Sequence, residues 1–263
     1  MKHTALLLAG VLLSGQVFSG GDPESSNGSV APASSYYESS GNESSYESAA
    51  LNQNLNLDYS IYDPWEGFNR KIFAFNDTID TYAFKPLAKG YRFVTPDVVE
   101  EGLSRVFSNL GELVNIANDL MQGKFKQATN DTGRFLINST VGLVGFFDVA
   151  DNLGLPKNEG EDFGQTLGFY GVKQGPYLIL PIFGPSTLRD APSRVVDQLI
   201  NPISEIDDIP FRNALYGTDG LVTRADLLKA EALFKGDKYA FYRDIYLQRR
   251  TYLVNDGKIE DDF

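Results

Sequence analysis

From Asp63 onward, apolar side chains return every three or four positions, the repeat of helices with one oily side. Trp65, Phe68, Ile72, Phe75 and Ile79 open the pattern, with Asp63 placed to cap the helix and Pro64 suited to its first position. Glu66, Asn69, Arg70, Asn76, Asp77 and Asp80 lie off that stripe. The helix is expected to stop before Pro86, because the residue preceding a proline is pushed out of the α region. Thr95-Pro96-Asp97 opens a second helix with Val99, Leu103, Val106, Phe107 and Leu110 along one side. Gly111 and Gly123 bracket a third, carrying Leu113, Ile116, Leu120 and Met121, and a fourth runs through Phe125, Ala128, Phe135 and Leu136 towards Gly142. Further helices are predicted over 188–199, 221–234 and 238–253. The last of these sets Tyr239, Tyr242, Tyr246, Arg249 and Leu253 along one amphipathic, interface-like side.

Between 152 and 186 the helical repeat breaks down. Glycines at 154, 160, 164, 168, 171, 175 and 184 punctuate short apolar pieces, and Tyr177 to Leu180 reads as extended between Pro176 and Pro181. Proline at both ends makes this an edge strand or a loop, not a central strand. No internal repeat and no second domain is seen. The fold class is therefore all-α with a short extended hairpin or loop.

The ends of the chain differ from this middle. Lys2, the apolar run Ala5 to Leu13 and the small residues after it have the form of an export signal, residues 1–19, with cleavage after Ser19. That run is too short to cross a bilayer, which takes about 20 residues. Leu13-Ser14-Gly15 has the form that precedes a lipidated cysteine in bacterial lipoproteins, but Gln16 stands in the cysteine's place. Residues 20–60 are rich in Ser, Gly, Asn, Glu and Tyr without period, a composition that cannot bury enough apolar surface to order itself. They are expected to form a disordered tether. The folded region is then 61–257, followed by an acidic tail, 258–263.

Composition narrows the chemistry sharply. The chain has no cysteine and a single histidine, His3, inside the export signal. Triads, thiol nucleophiles, imidazole- or thiolate-bound zinc and disulfides are excluded from the mature chain. A net charge of -12 argues against nucleic acid as a partner. The glycines of 164–175 follow no phosphate-cradling spacing. Asp207-Asp208 and the Glu159, Glu161, Asp162 group offer carboxylates for Ca²⁺ or for paired acid–base work, yet neither has an EF-hand spacing, and solvated loop charge explains both. No metal and no cofactor is expected. Two readings of the first aromatic stripe stand side by side. One is ordinary core packing; the other is contact with lipid, favoured by 18 Phe and 14 Tyr in one chain.

Asp63-Pro64-Trp65-Glu66-Gly67-Phe68-Asn69-Arg70 with Phe73 and Phe75-Asn76 resembles the opening of the MlaA (VacJ) family, phospholipid-handling proteins of the Gram-negative outer membrane. The likeness continues through Asn118-Asp119-Leu120-Met121-Gln122-Gly123-Lys124, Arg134-Phe135 and Asn138-Ser139-Thr140. It runs on through Glu161-Asp162-Phe163-Gly164-Gln165-Thr166-Leu167-Gly168, Gly175-Pro176-Tyr177 and Tyr242-Arg243-Asp244. It spans Tyr62 to Gly257 in order.

The resemblance implies a ring of amphipathic helices, embedded in the periplasmic side of the outer membrane without spanning it, with a channel through the ring. It implies passage of misplaced phospholipids to a soluble periplasmic carrier feeding an inner-membrane ABC transporter, and association with porin trimers. It supplies no catalytic signature. By position, Trp65, Phe68 and Phe73 are candidates for the lipid- or ring-facing side, and Tyr177, Leu180 and Pro181 for a channel loop. Arg189, Arg224 and Arg243 are candidates for phosphate contacts, each equally explained by an ion pair with Asp190, Asp226 or Asp244. A carboxylate-based envelope hydrolase using Asp162 or Asp207 and a porin-bound adaptor without lipid are the competing functions.

Overall fold

A computed structural model describes residues 63–231 and 236–258. The expected export signal, tether and all but the first residue of the acidic tail lie outside the described residues.

The first helix, α1, runs Glu66–Ile79 and does not end before Pro86. It passes through a π-helical turn, Asp80–Phe84, into α2, Lys85–Val94. Lys85 N–H donates to the Asp80 carbonyl, five residues back. That widened turn sets Pro86 in the first turn of α2, where its missing N–H costs no helical bond. The proline is accommodated by a change of helix type instead of a break. Asp63 does not cap α1 either: its carboxylate accepts from Asn69 Nδ2 at 2.8 Å and from the Tyr239 hydroxyl.

Helix α3 is a single rod, Asp97–Gln122, where two helices were expected. Gly111 is absorbed, since one interior glycine costs only about 1 kcal/mol against so long a packed helix. Gly123 ends the rod in the left-handed region at φ 76°, and α4, Phe125–Thr140, folds back onto it. Gly102 permits one close approach: a Cβ there would stand 2.2 Å from the Phe146 ring. Gly102→Ala is expected to lower stability by about 1–3 kcal/mol, read as a reduced urea midpoint at unchanged slope.

A short α5, Val149–Asn152, and α6, Phe163–Phe169, lead to a two-stranded antiparallel hairpin, β1 Tyr177–Leu180 and β2 Gly184–Thr187. The other edge of β1 would be bare, but α1 covers it with two asparagines one heptad apart. Asn69 donates to the Tyr177 carbonyl at 3.0 Å and accepts from Ile179 N–H at 2.9 Å. Asn76 donates to the Leu180 carbonyl at 3.0 Å and accepts from Ile182 N–H at 2.7 Å. Side-chain amides thus serve as the missing strand.

After α7, Asp190–Ile200, and a 3₁₀ turn, Pro202–Glu205, α8 spans Ile209–Glu231. It begins well before the expected residue 221. Asp208 Oδ1 accepts Phe211 N–H at 2.7 Å and starts the helix, which then carries Gly217 and Gly220 internally. Helix α9, Lys238–Val254, is capped by Asp237. A compact apolar core sits where α1, β1 and α9 meet: Tyr177, Ile179 and Tyr239, with Ile72, Phe73, Tyr246 and Leu247 packed against them. Contacts between elements close a circuit from α1 through α2, α8, α3, α7 and the hairpin back to α1.

Candidate functional site: a polar interior under apolar faces

Along α3 and α4 the usual distribution is inverted. Residues buried along α3 are Glu100, Asn109, Glu112, Asn115, Asn118, Asp119 and Gln122, with Gly102; none is apolar. On α4 the buried positions are Ala128, Asp131, Arg134 and Asn138. Large apolar side chains face outward instead: Tyr82 and Phe93 are 81% and 89% exposed, and Phe68, Leu87, Val98, Phe125, Leu136, Leu143, Leu199 and Phe211 all lie open. Polar groups tolerate such burial only when they satisfy one another.

Much of the interior does so through one chain of bonds. Gln122 Nε2 donates to Glu161 Oε2 at 2.8 Å and to Thr166 Oγ1 at 3.2 Å; Thr166 Oγ1 donates to Asn118 Oδ1 at 2.8 Å. Asn118 Nδ2 and the Phe163 N–H both donate to Asp197 Oδ1, at 3.1 and 2.9 Å. Burial, with Asp162 nearby, still pushes the Asp197 carboxyl up to about 7. Burial likewise raises Glu161 despite its hydrogen bonds from Lys124 and Gln122. Asp119 and Asp131 face each other across α3 and α4, both fully buried, and burial plus the Asp131 charge drive Asp119 upward.

A second charged cluster ties α9 to the rest. Arg250 donates through Nε to Asp190 Oδ2 at 3.0 Å and through Nη2 to Asp162 Oδ1 at 2.9 Å, with a further bond from Nη1 to Asp162. Burial raises the Asp162 carboxyl, but Arg250 and the Gln165 N–H outweigh that and hold it down at about 2. Among the described residues no group of three or more carboxylate, histidine or cysteine side chains is arranged to hold a metal ion, and no helix is long and apolar enough to cross a membrane.

The sequence candidates fall into distinct places. Trp65 and Phe68 are open on the outer side of α1, whereas Phe73 turns inward, edge-to-face on Tyr239 at 5.8 Å. Tyr177 is fully buried in the apolar core, Leu180 is half-buried at the end of β1, and Pro181 is exposed in the hairpin turn. Arg189 pairs with Asp190 at 2.8 Å and Arg243 with Asp244 at 2.9 Å. Arg224 forks onto Asp80 at 2.6 and 2.7 Å and reaches Glu231 at 2.7 Å, clamping the π-helical turn to α8. Of the hydrolase carboxylates, Asp162 caps α6 and holds Arg250, while Asp207 is exposed beside the start of α8. Asn69, Asn76, Asp119, Arg134 and Arg250 have no role assigned to them by the sequence. Their signal was present: polar residues at helical spacing are as periodic as the apolar ones opposite them.

A family model described as MlaA lipoprotein matches residues 61–253. The chain belongs to the MlaA family. The intermembrane phospholipid transport system lipoprotein MlaA of Shigella flexneri is 36% identical over 203 residues, 75% of this chain and 80% of that one. Its counterpart in Haemophilus influenzae is 37% identical over 204 residues, with 75% and 81% covered. An uncharacterized Rickettsia prowazekii protein, RP093, is 41% identical over 152 residues, and the match spans 57% of this chain and 60% of that relative. A solved structure from work on the structural basis for maintenance of bacterial outer membrane lipid asymmetry superposes with a TM-score of 0.66 at 34% identity, covering 73% of this chain and 99% of that one. The all-α reading with one hairpin holds.

Proposed function

We propose that this chain is a non-enzymatic phospholipid conduit of the Gram-negative outer membrane, giving misplaced outer-leaflet phospholipids a path towards a soluble periplasmic carrier. The observation that carries this reading is the inversion itself: helices with a polar, hydrogen-bonded interior and bare aromatic and aliphatic exteriors. Each acyl CH₂ moved into water costs about 0.8 kcal/mol, so pulling a two-chain lipid free costs on the order of 20 kcal/mol. A protein that keeps the chains in the bilayer and offers the headgroup a polar route removes that barrier without bond chemistry. Trp65, Phe68 and Phe93 are the side chains assigned to acyl contact, where amphipathic helices can lie in a membrane without spanning it. The relatives named for intermembrane phospholipid transport support the same role. In this reading the carrier feeds an inner-membrane ABC transporter, and porin trimers flank the conduit.

The test is outer-leaflet phospholipid in cells lacking the gene. Accumulation at the surface, reversed when the wild-type gene is restored, is the expected result. Unchanged outer-leaflet phospholipid, with the protein verified in the parent strain, would refute the proposal and favour a porin-bound adaptor.

A further inference from the structure

Between α3, α4 and the loop after α5 lies a small recess open to solvent, whose enclosed part has a volume of about 20 Å³. Its lining brings three cations together, Arg105, Arg134 and Lys157, beside Glu112, Asp148 and Asn109. The charges are not equally engaged. Asp148 accepts from Arg134 Nη2 at 2.8 Å and from Asn138 Nδ2 at 2.9 Å. Arg105 spends one nitrogen on the exposed Glu101. Lys157, on the recess wall, makes no ion pair or hydrogen bond with any described residue; burial lowers its ammonium, and the Glu112 charge only partly offsets that.

Two buried atoms of the recess lack partners. Arg134, 2% exposed, has its guanidinium held in place by Asp148 and the Leu155 carbonyl, yet Nε donates to nothing. The nearest carboxylate oxygen, Glu112 Oε1, is 3.7 Å away, too far for a hydrogen bond. Asn109 is fixed by donating to Ser139 Oγ at 2.9 Å, which leaves its Oδ1 without a donor. Gly145 forms the adjacent wall at φ 94°, where any Cβ would stand 2.5 Å from Asn109. A buried donor and a buried acceptor left open beside three cations suit a ligand that carries both an anion and a hydrogen-bond donor.

We propose that the mouth of this recess binds the phosphodiester headgroup of a phospholipid, one phosphate oxygen entering to take Arg134 Nε, the others meeting Lys157 and Arg105 at the rim, and a headgroup O–H or N–H reaching Asn109 Oδ1. Guanidinium and ammonium donors suit phosphate oxygens, and Asn109 Oδ1 favours a ligand that carries a donor of its own. Burial raises the neighbouring Glu112 carboxyl, which eases the approach of an anion. The assignment rests on the phospholipid reading above and locates a headgroup site within it.

The experiment uses the full chain in detergent, with Lys157 acetylation by acetic anhydride followed by mass spectrometry. The probes are dihexanoylphosphatidylglycerol, phosphate-free dihexanoylglycerol and inorganic phosphate. Bound lipid is counted separately as phosphorus retained through gel filtration. Expected is about tenfold slower acetylation of Lys157 with the phospholipid, the factor one charge-assisted hydrogen bond supplies. Dihexanoylglycerol should give no protection, and Arg105→Glu, an exposed change, should abolish the phospholipid's effect. Equal protection by inorganic phosphate would overturn the headgroup assignment in favour of a free anion. Phospholipid retained by the protein without protection of Lys157 would overturn the site and leave the conduit standing. Absence of any retained phospholipid would overturn both.

Discussion

Arg250→Ala is expected to reduce the unfolding free energy by about 3–5 kcal/mol, the cost of leaving a buried carboxylate without its cation. Arg250 is the joint between α9, the N-terminus of α6 through Asp162, and the N-terminus of α7 through Asp190. Asp190 is 4% exposed and keeps Arg189 in the variant, so its charge is only half compensated. Asp162 is open enough for water to reach it, so the larger share of the loss belongs to Asp190. The packing is tight as well: a Cβ on Gly164 would stand 2.7 Å from Arg250 Nη2, so no side chain can fill the gap from that side. Arg250→Lys should fall between the two, since one ammonium cannot fork across two carboxylates. Urea unfolding followed by circular dichroism measures the difference. A loss below about 1 kcal/mol would mean that solvent already shields the cluster. The acid limb gives a second check. Asp162 is held at about 2, below its ordinary 3.8, so its contribution is complete above pH 3.8 and is lost as pH falls through 2. In Arg250→Ala only the Gln165 hydrogen bonds remain to oppose burial, so that acid-sensitive contribution should shrink.

The helices themselves were legible because period survives any orientation. Trp65, Phe68 and Phe75 mark a helix whether they face a core or a bilayer, and the same is true of Glu112, Asn115, Asn118 and Gln122. What the period cannot carry is the sign of each face. A soluble helix and a lipid-facing one share the repeat and differ only in which side finds partners, and those partners are distant. Asn69 meets Tyr177 and Ile179, and Arg250 meets Asp162, across separations that no local window spans. The family resemblance implies lipid on the aromatic side, yet Phe73, one of the three residues it suggested, packs into the core against Tyr239. Local stop signals misled for a related reason. Pro86 and Gly111 each oppose an α-helix by a modest amount, and packing of the flanking turns outweighed both, once with a π turn and once with none. The candidate arginines were found, but as clamps between elements. The recess was hidden because Lys157 lies in a loop and the partners of Arg134, Asp148 and the Leu155 carbonyl, lie outside its helix.

Asp119→Asn is expected to change the pH dependence of stability while leaving the fold intact. Asp119 and Asp131 are both fully buried between α3 and α4. Asp131 Oδ1 accepts from Asn158 Nδ2 at 2.6 Å and from Asn130 Nδ2 at 3.1 Å, while Asp131 Oδ2 and both Asp119 oxygens have no donor. Two buried carboxylates facing one another cannot both ionise, and a shared proton supplies the missing bond. Burial first, then the Asp131 charge, pushes Asp119 up to about 8. The sign follows from where the proton sits. The folded chain holds it across a range in which the unfolded chain, with its ordinary carboxyl near 3.8, has released it. Asp119 therefore contributes fully below about pH 4, and the contribution is lost as pH rises through 8. At about 1.4 kcal/mol per pKa unit the loss is a few kcal/mol over that span. Asp197 and Asp219, raised by burial to about 7 and 6, add a similar slope over a narrower range, so the informative quantity is the difference between the two proteins. Asparagine keeps a donor for Asp131 at every pH. The variant should match the wild type near pH 5 and exceed it in stability by pH 9, as read from urea midpoints at each pH. Parallel curves for the two proteins would mean that no proton is held between α3 and α4, and that water reaches a joint the structure closes.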